Sequence, residues 1–171
     1  AIVAARDAEL PDDLAVPLVA CDNPRLVFAL MAARFYARQP GVMVAVTGTN
    51  GKTSVASFVR QIWTVLGMSA ASIGTIGIVS PAGTRKLVHT TPDPVEIHAA
   101  LADLSAHQVS HVALEASSHG LAQYRLHGAR FAAAGFTNLT RDHLDYHKTF
   151  EAYLDAKMML FEEVLSEGAA A

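Results

Sequence analysis

Val42-Met-Val-Ala-Val-Thr-Gly-Thr-Asn-Gly-Lys-Thr-Ser54 joins a short apolar run to a glycine turn and then to the start of a helix. Val42 to Val46 is almost wholly apolar and rich in β-branched residues, the pattern of a strand covered on both faces in a parallel sheet. Gly48 and Gly51 open backbone angles closed to other residues, so successive N–H groups can converge on an anion at the positive end of the following helix. Lys52 adds a charge within reach of β- and γ-phosphate oxygens, and the Thr53 hydroxyl is placed for a magnesium ion. The stretch reads as a phosphate cradle. It departs from G-x-x-x-x-G-K-[ST] at one place, where Val46 stands in the slot of the first glycine and Gly48 follows two residues later.

Outward from this loop, strands alternate with helices. The next helix carries Val55, Phe58, Val59, Ile62, Trp63 and Leu66 as one apolar stripe, which makes Trp63 a core residue, and Gly67 stops it. Residues 70 to 79 read as a strand, and Pro81-Ala-Gly83 as a turn into Lys86 to His89, a hairpin insertion. Asp93-Pro-Val-Glu96 starts a helix with a capping acid, proline in the first turn and glutamate at the third position, and Ile97, Leu101 and Leu104 form its buried face. His111 to Ala116 and Phe131 to Thr137 are further strands. The order predicts an α/β fold, a parallel sheet with helices on both faces.

Before the loop, Ile2 to Ala5 and Val16 to Cys21 are candidate strands. A helix follows, capped by Asp22 or Asn23, with Pro24 in its first turn and Leu26, Leu30 and Val27, Met31 repeating at four-residue spacing. Gln39-Pro-Gly41 marks a boundary, so residues 1–39 are expected to end a small α/β N-terminal domain and residues 40–171 to begin the central one. Only four parallel strands and no initiator methionine lead to the expectation of an N-terminal fragment of a longer protein.

A hydrophobic fraction of 51% over 171 residues supports a sizeable globular core. A net charge of −3 gives no electrostatic reason to expect nucleic acid as a partner. No apolar run approaches the ~18 residues of a membrane span. A single cysteine, Cys21, forms no internal disulfide, which suits a reducing, cytoplasmic setting.

Glu115 ends an apolar strand where ligands bind in open α/β sheets, and a buried carboxylate there needs a cation or donors. Magnesium would meet that need, as would a helix cap or an arginine partner. Asn138 to His147 concentrates Asp142, His143, Asp145 and His147 without zinc spacing, which fits either a hard cation at one edge or a solvated loop. Lys157 shares the apolar face of the helix from Thr149 to Leu165 with Phe150, Tyr153, Leu154, Phe161 and Val164. Its ammonium either snorkels to water or sits buried, loses its proton and reacts with carbon dioxide to a metal-binding carbamate. Thr90-Thr91-Pro92, Ser117-Ser-His119 and Gln123-Tyr-Arg125 are either caps and a surface arginine or hydrogen-bonding groups for a large polar substrate.

Thr47 to Thr53, Thr90-Thr91-Pro92, Glu115 to Leu121, Thr137 to His147 and Ala156-Lys157 together resemble the Mur ligases, relatives of the folylpolyglutamate and cyanophycin synthetases. The segments Ser117 to Leu121 and Asn138 to His147 are similar to those of the E type, which adds the third peptide residue in peptidoglycan synthesis. The resemblance implies a cytoplasmic, monomeric, ATP-dependent amide ligase. It would join a diamino acid, meso-diaminopimelate or L-lysine, to UDP-N-acetylmuramoyl-L-alanyl-D-glutamate through an acyl phosphate. It further implies that Thr47, Gly48, Thr49, Asn50, Gly51, Lys52 and Thr53 bind ATP, and that Thr53 and Glu115 hold one Mg2+. Glu115, His143 and carbamylated Lys157 would hold a second, making Lys52, Glu115, His143 and Lys157 the catalytic set. Thr90, Thr91, Ser117, Gln123 and Arg125 match substrate-contacting positions, and residues 1 to 38 resemble the end of a uridine-binding domain. Asp22-Asn-Pro-Arg25 spells a diaminopimelate-selecting tetrapeptide of the family's C-terminal domain, but it lies before the phosphate loop at a helix start and signals no specificity.

Overall fold

The computed structural model describes residues 1–11, 13 and 15–171. In chain order its elements are β1 (Ile2–Ala5), β2 (Leu18–Cys21), α1 (Pro24–Tyr36), β3 (Val42–Thr47), α2 (Lys52–Val65), β4 (Ala70–Gly74), β5 (Gly77–Ser80) and β6 (Gly83–Arg85). There follow α3 (Pro94–Ala106), β7 (His111–Glu115), α4 (Ser118–Ala122), β8 (Ala133–Phe136), α5 (Leu144–His147) and α6 (Phe150–Met159), which widens into a π-helical turn over Leu160–Val164.

β1 and β2 pair in parallel as a sheet of their own, and the other strands form a six-stranded sheet in the order β6-β5-β4-β7-β3-β8. β4, β7, β3 and β8 run parallel, with β5 and β6 appended as an antiparallel hairpin. The expected single strand over residues 70 to 79 is therefore two. The chain reverses at Thr75-Ile76, and Gly77 supplies the positive φ of 109° that the reversal requires. The hairpin insertion is real but lies earlier than the sequence suggested, with Gly83–Arg85 rather than Lys86 to His89 as its second strand.

Alternation along the strands sends side chains to two cores. Met43, Ala45, Val112 and Leu114 face one layer, where Ile97, Leu101 and Leu104 of α3, Leu121 of α4 and Leu160 cover them. Val44, Val46 and Ala113 face the other, against Ala56, Val59 and Trp63 of α2. Helices thus lie on both faces, as an α/β sheet requires. Of the six residues in the stripe expected on α2, only Val59 and Trp63 pack on the sheet, beside Ala56. Phe58 (62% exposed), Ile62 (58%) and Leu66 (64%) form a flank that nothing among the described residues covers.

Asn23 caps α1 by accepting the Leu26 N–H at 3.1 Å, with Pro24 in the first turn as expected. Its buried face is not the Leu/Met repeat. Leu30 and Met31 are exposed, and Ala29 and Ala32 are buried, because small residues let α1 lie close against α3. Asp93 caps α3 by accepting the Glu96 N–H at 2.9 Å. Gln39 ties the segment after α1 to the central sheet's connections, donating to the Gly128 carbonyl at 2.8 Å and accepting the Arg130 N–H at 3.0 Å.

Candidate functional site

β3 delivers the chain into the glycine loop, and α2 leaves it from Gly51, whose φ of 86° lies in the left-handed region. The first turn of a helix leaves its N–H groups without carbonyl partners. Here the first amide of this turn to find one is Val55, on the Gly51 carbonyl at 2.9 Å, so the N–H groups before it remain open for an anion. Gly48 has a φ of 132°, and a Cβ there would overlap the Thr137 hydroxyl, so no larger residue fits. Thr47 is wholly buried beneath the loop, its carbonyl accepting from Thr137 N–H at 3.0 Å and Thr137 Oγ1 at 3.2 Å. Lys52 folds back over the loop and donates to the carbonyls of Gly48 and Thr49, both at 2.9 Å. Burial lowers its pKa, opposed by the negative charges of Glu115 and Asp142.

Register pairing sets Val46 of β3 beside Glu115 at the carboxyl end of β7. Glu115 is 2% exposed, yet its carboxylate is not left bare. Oε2 accepts from Thr53 Oγ1 at 2.8 Å and Thr75 Oγ1 at 3.2 Å, and Oε1 accepts the Thr75 N–H at 2.9 Å. Such donors offset the desolvation of a buried charge. Gly74 makes room for it, since a Cβ there would overlap the carboxylate. Glu115 caps no helix. Ser117 caps α4, accepting the Gly120 N–H at 3.1 Å. The hydroxyls of Thr53 and Thr75 beside one carboxylate make a hard, all-oxygen donor set, which suits magnesium rather than zinc. Among the described residues no group of three or more His, Cys, Asp or Glu could form a closed protein cage.

Lys157 is 1% exposed, so the snorkelling alternative fails. Its Nζ donates to the Gly48 carbonyl at 2.8 Å and lies 4.3 Å from the centre of the Tyr153 ring. Burial, then the neighbouring Lys52, pull its pKa down to about 8 against the opposing charge of Asp142. Both lysines therefore converge on one carbonyl of the loop. The Tyr153 ring also meets His143 edge-on, at 6.1 Å between centroids. His143 has a left-handed backbone, φ 52°, at the turn that opens α5. Its N–H donates to Asp142 Oδ1 at 2.8 Å, and its ring meets His119 edge-on at 4.9 Å.

The family model of the Mur ligase middle domain matches residues 46–171. The chain belongs to the Mur ligase family. It is 57% identical over its whole length to "UDP-N-acetylmuramoyl-L-alanyl-D-glutamate--2,6-diaminopimelate ligase" of Brucella melitensis, of which it covers 35%. It is also 57% identical over 156 residues, 91% of this chain and 32% of the relative, to the protein of that name from Agrobacterium fabrum. A solved structure of that name superposes with a TM-score of 0.78 at 36% identity, over 90% of this chain and 32% of the other. The chain thus spans about a third of the length of the curated relatives it matches.

In this chain the polar clusters that the sequence singled out share one cleft of about 260 Å³, lined by Thr90, Thr91, Ser117, Gln123 and Arg125 together with His143. Arg125 is held in a fixed pose, donating to the Thr91 carbonyl at 2.7 Å and twice to Gln123 Oε1, at 2.7 and 3.2 Å. Thr91 is buried and bridges the β7–α4 turn: its hydroxyl donates to the Glu115 carbonyl at 2.9 Å and accepts the Ser117 N–H at 3.0 Å. Thr90 reaches the same centre through Thr75, hydroxyl to hydroxyl at 3.1 Å.

Thr75 is the residue that sequence reasoning missed. It sits in an expected strand, and only the reversal after β4 turns its N–H and hydroxyl onto Glu115. Tyr153 read as plain core, and its hydroxyl donates to Thr49 Oγ1 at 3.2 Å. The helix expected over Thr149 to Leu165 is regular only through Met159, beyond which the π turn carries Val164 into the core. No helix among the described residues is long and apolar enough to cross a membrane.

Proposed function

We propose that the chain carries the phosphate-binding and metal-binding part of an ATP-dependent amide ligase that adds a diamino acid to UDP-N-acetylmuramoyl-L-alanyl-D-glutamate. The observation that carries the proposal is the convergence of Lys52, Thr53, Glu115 and Lys157 on one phosphate loop at the carboxyl ends of β3 and β7. The names of relatives at 48 to 57% identity favour 2,6-diaminopimelate as the amino acid added.

In the reaction the γ-phosphoryl group of ATP passes to the side-chain carboxylate of the D-glutamate, leaving ADP. The amine of the incoming amino acid then displaces phosphate, forms the amide and loses its proton. Two anions must be brought together first, and repulsion between them is the barrier that this chain's residues address. The open amides at the start of α2 and the Lys52 ammonium receive phosphate oxygens, Lys52 leaving the Gly48 and Thr49 carbonyls as it does so. Thr53 and Glu115 would hold Mg2+, which supplies charge neutralisation between the phosphates. A second ion would need Glu115, His143 and a carboxylate on Lys157. With a pKa of about 8, roughly a tenth of Lys157 is neutral amine at pH 7, enough to react with carbon dioxide to a carbamate. Arg125, steadied by Gln123 and Thr91, and the hydroxyls of Thr90 and Ser117 would hold the UDP-muramoyl peptide.

The test uses the intact ligase that carries this sequence. Phosphate release is expected only with ATP, the UDP-muramoyl dipeptide and a diamino acid all present, and Lys52→Ala is expected to lower kcat/KM by 100-fold or more, a loss on the order of 3 kcal/mol. Phosphate release with a folate substrate in place of the muramoyl peptide overturns the assignment.

A further inference from the structure

The Asn138 side chain spends both its polar groups on one residue of the phosphate loop. Its Oδ1 accepts the Asn50 N–H at 3.0 Å, and its Nδ2 donates to the Asn50 carbonyl at 3.2 Å. The amide can sit only this way round, because flipping it would set donor against donor and acceptor against acceptor. The Asn138 backbone carbonyl accepts the Thr49 N–H at 2.8 Å. Thr137 donates through Oγ1 to the same Asn50 carbonyl at 2.6 Å, and Thr140 donates its N–H to Thr49 Oγ1 at 2.9 Å. One segment, Thr137 to Thr140, thus ties down the tip of the loop and leads within three residues to His143.

We infer that Asn138 is a positioning residue for the nucleotide: it holds the loop in its binding shape beforehand and withdraws the Thr49 and Asn50 amides from the anion, leaving phosphate to the amides of Gly51, Lys52 and Thr53. The inference rests on the nucleotide reading above. An N–H already engaged by an oriented acceptor offers an incoming phosphate little, whereas the first-turn amides of α2 have no competing acceptor among the described residues. Presetting matters because a glycine loop left free must be ordered when ligand arrives, and that ordering is subtracted from affinity. The clamp also joins loop and His143 in one segment, so the phosphate end of the nucleotide and the proposed metal-binding histidine hold a fixed relation.

The experiment compares wild type, Asn138→Ala and Asn138→Asp in the intact ligase, by steady-state kinetics and by amide hydrogen exchange resolved at single residues. Asn138→Ala is expected to raise KM for ATP about fivefold, the worth of one net hydrogen bond, while KM for the UDP-muramoyl peptide moves less than about twofold. Asn138→Asp keeps the acceptor but sets an oxygen against the Asn50 carbonyl and a charge near the phosphates, so its KM for ATP is expected to rise further. In nucleotide-free protein the Asn50 amide is expected to be protected in wild type and to exchange faster in Asn138→Ala, and added ATP should protect Gly51 to Thr53 without changing Asn50. An Asn50 amide that exchanges freely until ATP is added meets phosphate itself, and that result overturns the inference. Wild type that takes up no nucleotide, with Asn50 protection still dependent on Asn138, sinks the nucleotide reading and with it the stated purpose of the clamp.

Discussion

Replacing Lys157 by methionine removes a buried charge without removing the volume that fills the space between α6 and the loop. The cost of that charge follows from its titration. Burial and Lys52 bring the ammonium from 10.5 to about 8, a difference that corresponds to ~3 kcal/mol as an upper bound. Because the folded state holds the proton less tightly than the unfolded chain, the unfolded state binds more protons between the two values, and stability rises with pH across that window. Below about pH 8 both states are protonated and the whole penalty is carried; above about 10.5 both are neutral and it is gone. The stability of wild type relative to Lys157→Met should therefore increase by about 1–3 kcal/mol between pH 7 and pH 10. The hydrogen bond to the Gly48 carbonyl persists with a neutral amine, so it does not reverse the sign. Urea unfolding of both proteins at both pH values, in buffers stripped of carbon dioxide, measures this difference directly. A gap between the two proteins that stays constant from pH 7 to pH 10 would refute the argument, since it would mean that Lys157 titrates as an exposed lysine does.

Two further outcomes are expected. With isotopically labelled bicarbonate, the protein should show a carbamate carbon resonance that Lys157→Met lacks; a spectrum identical for the two proteins would leave Lys157 as an ammonium and remove the second metal site. Gly74→Ala sets a methyl group against the Glu115 carboxylate, so it should lower the unfolding free energy by ~1–3 kcal/mol in urea titrations. Unchanged stability in that variant would mean that Glu115 does not lie against β4 as described.

The legible parts of this protein are those written in local pattern. The apolar run, two glycines, lysine and threonine of residues 42 to 53 specify strand, turn and helix start without help from elsewhere, and the structure has all three there. Lys157 was legible only as an anomaly, a charged residue on the apolar face of a helix; the sequence left snorkelling and burial both open, and the fold decided for burial, at 1% exposed. The α2 stripe was misread for a related reason. Helical periodicity says which residues share a face but not how much of that face a partner covers, and here Ala56, Val59 and Trp63 meet the sheet while Phe58, Ile62 and Leu66 do not.

From the chain's chemistry alone came the alternation of strands with helices and the glycine loop between strand and helix, since each of these is a matter of nearest neighbours along the backbone, while the polar residues now grouped around the loop were singled out one by one and by family resemblance. Tertiary structure alone decided that Thr75 turns onto Glu115 and that Asn138 grips Asn50 from 88 residues away. It also put two lysines on one carbonyl. These contacts depend on strand order and register, which hydrophobic pattern constrains only weakly. A carboxylate or an amide finds its partner only once the sheet has brought distant segments within hydrogen-bonding range.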